Sequence, residues 1–359
     1  MGLFSFGKKK GQVVGVDVGS SAIKAVELKV TGKPGSETYQ LLNIGMEPLP
    51  PEAIVDGAIM DSGAVIDAIQ RLFSSQKIKT GDVATSVSGN AVIVKKISLP
   101  QMSPEELAES IHWEAEQYIP FDIQDVAIDY EVIDGGGEGG NMDVLLVAVK
   151  KDKISDYTSA ISQAGKSPQI VDVDVFALQN CYEVNYGMDP GRVVALLNVG
   201  ASIMNINILK GGSSIFNRDI AVGGNQYTDA IQKDLSLSFD QAEELKRGGS
   251  VDGAAPENLY PILQAVSENI ALEIQKTFDF FKATTSEDRI DQIYLAGGTS
   301  KVQGLRDLLA ERFEASVEIL NPFNAITYNP KDFDPDFIGE VGPQAAIAVG
   351  LAVRRVGDR

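Results

Sequence analysis

One cysteine (Cys181), one histidine (His112) and one tryptophan (Trp113) occur in 359 residues. A lone cysteine cannot close an internal disulfide, and it excludes cysteine-rich zinc sites. A lone histidine excludes a multi-histidine metal site and leaves a His-dependent triad without a second candidate. Positive charge is also scarce. The 31 Lys and Arg against 50 Asp and Glu leave a net charge of −19, which argues against broad neutralisation of nucleic-acid phosphates. No apolar run reaches the ~18 residues that would span a bilayer. The first ten residues, MGLFSFGKKK, place Leu3, Phe4 and Phe6 before Lys8, Lys9 and Lys10. That order is the reverse of a secretory signal, and the Ser or Thr of a myristoylation pattern is missing at position 6. The segment reads as a frayed terminus or as a weak basic foot on an anionic membrane surface. What is abundant is ordinary globular material, 44% hydrophobic and 23% charged, in a length that suits two or more domains. Glycine is enriched, at 35 residues, and its positions carry the functional reading.

Two Val/Ile-rich runs, 13–18 and 23–30, flank Gly19-Ser20-Ser21 and predict a β-hairpin. A third strand is expected at 39–44. Apolar residues at 65, 66, 69, 72 and 73 give a helix over 61–76, and strands follow at 83–87 and 92–99. Ser103-Pro104-Glu105-Glu106 combines a Ser cap, Pro at the first helical position and Glu at the third; that helix runs to about 118 and Pro120 stops it. Strands at 126–133 and 144–150 enclose a glycine-rich tip at 135–140 read as a loop. A helix over 153–164 and a strand over 170–175 lead into a helix ending near 185. Then 193–199, Gly200-Ala201-Ser202 and 204–209 repeat the opening hairpin, so the chain reads as a duplicated α/β unit. Helices are expected at 225–235, 239–247, 262–282, 302–313 and 344–355, with a buried strand at 293–296. The expected organisation is a tail (1–10), a first subdomain (11–89), an inserted α+β subdomain (90–168) and a second lobe (169–359) whose closing helix returns to the first.

Both hairpin turns could hold phosphate. Gly19 lets backbone N–H groups approach an anion, Ser20 and Ser21 add donors, and Lys24 could neutralise charge. Asp17, just before the turn, suits a water of hydrated Mg²⁺. The plainer reading is a hairpin whose Asp and Ser satisfy turn backbone. Asn198 aligns with Asp17, so Gly200, Ala201 and Ser202 could close on the same ligand from the other side. Gly297-Gly298-Thr299-Ser300 leaves a buried strand for a helix, where paired glycines would admit a flat ring against backbone or simply permit tight packing. Glu243 and Lys246 share a helix face and could grip ribose and base, or form an ordinary solvated pair. Asp172 and Asp174 lie on the segment entering the connecting helix, where a general base could sit. They read first as solvated strand-end carboxylates, so no catalytic residue is assigned. Cys181 reads as small and buried. His112, Trp113, Tyr118 and Phe121 cluster near Pro120; Trp113 reads first as core or inter-subdomain packing, with a groove for an extended peptide as the competing reading.

In this order the turns resemble the phosphate-1, phosphate-2 and adenosine motifs of the actin-like ATPase superfamily. Within it the chain resembles the PilM family of type IV pilus assembly proteins, relatives of the cell-division protein FtsA, through VVGVDVGSSAIKAVELK, HWEAEQYIPF, RDIAVGGNQYTDAI and LAGGTSKVQGL. The resemblance implies a two-lobed actin-like ATPase fold of duplicated ribonuclease-H-like α/β domains, with a small inserted α+β subdomain of the FtsA/PilM type. It implies ATP and Mg²⁺ as ligands. Asp17 would lie at the magnesium shell, Gly19, Ser20, Ser21 and Lys24 at the phosphates, and Gly200, Ala201 and Ser202 opposite them beside Asn198. Gly223 and Gly224 would lie near the nucleotide, Glu243 and Lys246 at ribose and base, and Gly297, Gly298 and Ser300 around adenosine. It implies the cytoplasmic N-terminal tail of PilN as partner, in or beside the insert, with Trp113, Tyr118 and Phe121 as candidate groove residues. PilO, the motor ATPases and the platform protein would be reached indirectly, and self-association is compatible. The implied location is cytoplasmic, peripheral on the bacterial inner membrane through partners and the basic tail. The superfamily usually carries Asp where this chain has Asn198, which removes a charge that would help to hold Mg²⁺ and implies binding of ATP above rapid hydrolysis. The alternatives are a small-molecule kinase of the same superfamily, or an FtsA-like filament former, whose C-terminal membrane helix is not found before Arg359.

Overall fold

Val14, Val16 and Val18 alternate with Gly15 and Asp17, and all five residues are buried, as in a central strand covered on both faces. A computed structural model describes residues 11–33, 36–137 and 140–357 of the chain; the basic-apolar tail lies outside them. β1 (Val14–Val18) and β2 (Ala22–Thr31) form the expected hairpin, with Asp17 opposite Lys24. β3 (Thr38–Pro48) pairs with β2, and β4 (Ile54–Val55) with β5 (Ala58–Ile59) forms a small hairpin. α1 (Ser62–Ser75) buries Val65, Ala68, Ile69, Leu72 and Phe73 as one stripe, capped by the Asp61 side chain. β6 (Asp82–Val87) then returns parallel to β1.

The insert follows as β7 (Val92–Pro100), α2 (Pro104–Glu116), β8 (Val126–Gly137) and β9 (Asn141–Lys150). Its sheet order is β7-β9-β8, and Leu107, Ile111 and Ala115 of α2 pack with Ile97, Val144 and Leu146 into a core of its own. Ser103 and Glu106 complete a capping box at the start of α2. α3 (Lys151–Gln163) starts directly after β9 and buries Tyr157, Ala160 and Ile161 with α1 and the first sheet. β10 (Ser167–Val173) pairs with β6. The compact insert therefore spans β7 to β9, and α3 and β10 pack with the first lobe, where the sequence pattern alone put the boundary at 168.

α4 (Asp174–Tyr186) crosses to the second sheet, built from β11 (Val193–Val199), β12 (Met204–Lys210) and β13 (Ser213–Ile220). α5 (Asn225–Leu235), α6 (Phe239–Lys246) and α7 (Pro256–Thr284) cover its outer face, followed by β14 (Gln292–Ala296), α8 (Leu305–Phe313) and β15 (Ser316–Ile319). α9 (Pro335–Val341) and α10 (Ala346–Ala352) close the described chain. The sheets run β10-β6-β1-β2-β3 and β13-β12-β11-β14-β15. Each has two antiparallel pairings and then two parallel ones, so the duplication read from the repeated hairpin is a duplication of topology. α4 and α10 form the middle layer: Ala177, Leu178, Ile347 and Leu351 pack with Val26 and Leu28 of one sheet and Val194 and Leu196 of the other.

Several elements differ from expectation. α7 begins at Pro256 and carries Pro261 inside it, because burial of Ile262, Leu263 and Val266 outweighs one missing backbone bond near the helix start. Expected helix 302–313 is a 3₁₀ turn at Gly298–Lys301 and then α8 from Leu305, and expected helix 344–355 is a 3₁₀ turn at Gly342–Ala345 and then α10. Strand 170–175 ends at Val173, where α4 takes over. β8 extends into the glycine-rich tip as far as Gly137.

The middle layer is unusually tight at one point. A Cβ at Gly350 of α10 would overlap the Ala177 carbonyl of α4, so two backbones meet where no side chain fits. Gly350→Ala should cost about 2–3 kcal/mol in urea denaturation. Gly339→Ala on α9, where an added Cβ has nothing within 4 Å, should leave stability unchanged or raise it by up to about 1 kcal/mol.

Candidate functional site

The repeated topology places the β1–β2 and β11–β12 turns face to face. In the first, Gly19 N–H donates to the Ala22 carbonyl at 3.2 Å, and Lys24 Nζ donates to Asp17 Oδ2 at 3.0 Å with both side chains mostly buried. Ser21 stays exposed at the tip. In the second, Gly200 N–H donates to Ile203 O at 3.0 Å. The hydroxyls of Ser20 and Ser202 hydrogen-bond to each other across the gap.

Three more segments converge on the second turn. The Gly200 carbonyl accepts from Gly224 N–H at 2.9 Å and from Thr299 Oγ1 at 2.9 Å, and the Ala201 carbonyl from Asn225 N–H at 2.8 Å. Gly223 lies against the Gly200 and Ala201 carbonyls. Gly297 has φ +84° and lies against the Val199 carbonyl, a conformation and a closeness that both require glycine. Ser300 Oγ donates to Gly297 O at 2.7 Å and is buried, which turns it inward, while Gly298 is exposed. Glu243 and Lys246 pair with each other, and both bond the Thr228 hydroxyl. Lys246 Nζ also reaches Gly224 O at 3.4 Å. Burial pushes the Glu243 carboxyl up, but Lys246, Thr228 and Arg247 outweigh it and hold it below its ordinary value. The pair is a fixed, half-enclosed corner of the cleft rather than a solvated one.

The carboxylates expected to be solvated are not. Asp172 is buried, accepts from Val173 N–H at 2.8 Å, and is paired with Arg354 at 2.7 Å, which ties the chain after α10 to β10. Asp174 accepts from Ser86 Oγ at 2.6 Å. Burial, with Asp17 nearby, pushes its pKa up to about 6. Two groups went unnoticed in the sequence. Lys153 is buried, its ammonium donating to Gly57 O, which also accepts from Tyr157 OH at 2.8 Å. Burial lowers its pKa against the pull of Asp174, Asp156, Asp152 and Asp219. The legible signal was its place in the stripe 153, 157, 160, 161, a charge on an otherwise apolar helix face. Asp219 at the end of β13 accepts from Gly89 N–H at 2.7 Å.

Trp113 is 75% exposed on α2, so the packing role expected of it does not hold. The buried face of α2 is already supplied by Leu107, Ile111 and Ala115. Tyr118 and Phe121 pack against the insert core, under Lys95 at 4.8 Å and Lys150 at 4.4 Å respectively. Cys181 is fully buried, and burial raises its thiol pKa, as expected of an inert side chain.

Two facing turns of amides and hydroxyls, one ammonium and one carboxylate form an arrangement able to hold a chain of anionic oxygens together with a hydrated cation. Among the described residues no three Asp, Glu, His or Cys side chains converge as a metal site, so most of a cation's ligands would have to come from the anion and water.

Residues 15–356 match the family described as type IV pilus assembly protein PilM. A chain of the solved PilM–PilN type IV pilus biogenesis complex is 30% identical, with TM-score 0.84 over 96% of this chain and 98% of that one. MreB 5 of Spiroplasma citri bound to AMPPNP shares the fold at 13% identity and TM-score 0.53, covering 96% and 95%. The cell division protein FtsA of Pseudomonas aeruginosa is 23% identical over 356 residues, 87% of this chain and 83% of its own.

Asp174 should destabilise the fold at neutral pH. Its folded pKa of about 6 exceeds the ordinary 3.8, so stability falls as pH rises from about 4 through 6. Asp174→Asn should therefore gain on the order of 1–2 kcal/mol at pH 7.5, a gain that vanishes below about pH 4. Urea denaturation at the two pH values measures it.

Proposed function

The chain belongs to the PilM family of type IV pilus assembly proteins, and from that premise we propose that it is an ATP-binding scaffold which grips the cytoplasmic tail of PilN at its insert. The observation that carries the nucleotide half is the pair of facing turns joined through Ser20 and Ser202. Triphosphate would replace that hydroxyl contact. The Gly19, Ser20, Ser21 and Lys24 side would hold it from the first lobe, and Gly200, Ala201 and Ser202 from the second. The base would lie between Glu243, Lys246 and the Gly223–Gly224 and Gly297–Gly298 backbones, with Ser300 holding the Gly297 carbonyl rather than the ligand.

Asp17 fits a magnesium shell by its chemistry. One oxygen takes Lys24 while Oδ1 is turned toward Gly19. Bound magnesium would neutralise phosphate charge there, and Lys24 would then share its ammonium with the phosphates. Asn198 supplies no second charge, and any ATPase activity is weak. PilN, and through it PilO and the motor, would keep the chain at the inner face of the membrane, which its net charge of −19 would otherwise avoid.

The likeness to a chain of the PilM–PilN complex supports the partner half. The exposed Trp113 gives the insert an aromatic anchor suited to a peptide.

Asp17→Ala should weaken ATP binding in the presence of Mg²⁺ at least about tenfold, a loss of about 1.4 kcal/mol, by titration calorimetry. Unchanged affinity would remove Asp17 from the site. A synthetic PilN N-terminal peptide should bind the wild-type chain, and Trp113→Ala should weaken it by about 2 kcal/mol; no binding to the wild type would end the scaffold reading.

A further inference from the structure

Asn198, Asn205 and Asp219 are direct cross-strand neighbours on β11, β12 and β13. Asn198 Nδ2 donates to Asn205 Oδ1 at 2.9 Å, Asn205 Nδ2 donates to Asp219 Oδ1 at 2.8 Å, and Asp219 Oδ2 accepts from Gly89 N–H at 2.7 Å. Gly89 belongs to the other lobe, on the link from β6 to the first strand of the insert.

The polarity of this row is forced from one end. Asp219 accepts at both oxygens, from Gly89 N–H and from Asn205 Nδ2, so Asn205 turns its own oxygen toward Asn198. Asn198 must then be a donor. An aspartate there would set oxygen against oxygen, so the residue that departs from the superfamily pattern is the one the row requires.

The second link between insert and body is held at the same place. β9 runs into α3 without a loop. From that junction Lys150 lies over Phe121 and Lys151 Nζ donates to Gln124 O at 2.7 Å, both in the insert, while Lys153 reaches back to Gly57 O. Ile203, next to Ser202, lies against Gly57 and Gly89 together. Lys153 is attracted by Asp219 and Asp174. Both tethers of the insert thus end within one cluster that starts at the second phosphate turn.

We infer that the Asn198–Asn205–Asp219 row relays occupancy of the phosphate turns to Gly89, and so sets the orientation of the insert relative to the cleft. The inference rests on the nucleotide reading above and specifies how that site would be coupled to the partner face. An effector shifts an orientation only by its differential affinity for two arrangements, and the row supplies the difference. A turn moved by polyphosphate keeps or breaks the bond to Gly89.

Hydrogen–deuterium exchange on the full chain, with and without Mg·ATP, tests it without the partner. In the wild type, ATP should change exchange in 88–94 and 141–151 by about fivefold or more, the lower range of site-to-site coupling. Asp219→Leu is close in size but accepts from neither Gly89 N–H nor Asn205 Nδ2, whereas an asparagine there could re-form the row by amide flips. The Asp219→Leu variant should bind ATP with nearly wild-type affinity and lose the ATP-dependent change, whatever its baseline exchange. If that variant does not fold, Asn205→Ser cuts the same row one bond earlier. An undiminished ATP response in the folded variant overturns the relay. So does wild-type ATP binding with no response in these segments. Absence of ATP binding to the wild type overturns the nucleotide reading and the relay with it.

Discussion

Backbone contact between Gly350 and Ala177 fixes how far apart the two sheets can be. α4 and α10 share one layer only because nothing stands between them there. With that layer thin and apolar, the sheets face each other and their first turns meet at one end. The energetics differ sharply between the ends. The middle layer is a continuous apolar core, non-directional and in proportion to area. The cleft end is joined by single polar contacts, Ser20 to Ser202 and Gly89 to Asp219, each worth on the order of 1–2 kcal/mol net. The lobes are thus bound permanently at the hinge and weakly at the mouth. A ligand that offers several charged oxygens can replace the mouth contacts at little cost without disturbing the core.

Buried charge is concentrated where the fold has least need of it. Lys153, Asp174 and Asp219 gather around the cleft floor, each pushed toward its neutral form by burial. Packed apolar residues would be more stable in those places. By contrast, Asp172 and Arg354 form a paired buried bridge with an evident structural task, holding the last segment against β10. An unpaired acid, a buried ammonium and a shared carbonyl at Gly57 describe a region kept at a cost in stability, the usual mark of a functional site.

The hairpins were legible because their strands are buried on both faces and carry runs of Val and Ile that few alternatives accept, and their recurrence at Val193 gave the duplication. Strand β13 was missed because Ser213, Asn217, Arg218 and Asp219 do not read as a strand; its polar residues serve the cleft rather than a core. β15 and α9 are too short to show a period. The sequence pattern starts α7 after Pro261 because proline marks helix boundaries, and burial of the first turns overrides that preference. The glycine turns were readable as turns, since glycine at Gly297 answers a local demand. Asp174, Lys153 and Asp219 were not, because their environment is made by segments 88 to 130 residues away in sequence. Trp113 misled for the opposite reason. A large aromatic defaults to the interior, and only the occupied inner face of α2 shows that it is outside.

Asn198 changes sense once its neighbours are known. Taken alone it is an aspartate that has lost its charge, and the loss weakens any grip on a divalent cation. Beside Asn205 and Asp219 it is the only residue type of that shape that can donate down the row, so the loss of charge is also a gain of a donor. The two effects point the same way. In the proposed reading, a site with one carboxylate instead of two would hold its cation less firmly and have less with which to drive hydrolysis, while a row that runs from the turn to Gly89 would let the occupied and empty states differ mechanically. On that reading, this cleft converts nucleotide into shape rather than into chemistry, and a slow reaction suits a scaffold whose bound state has to last.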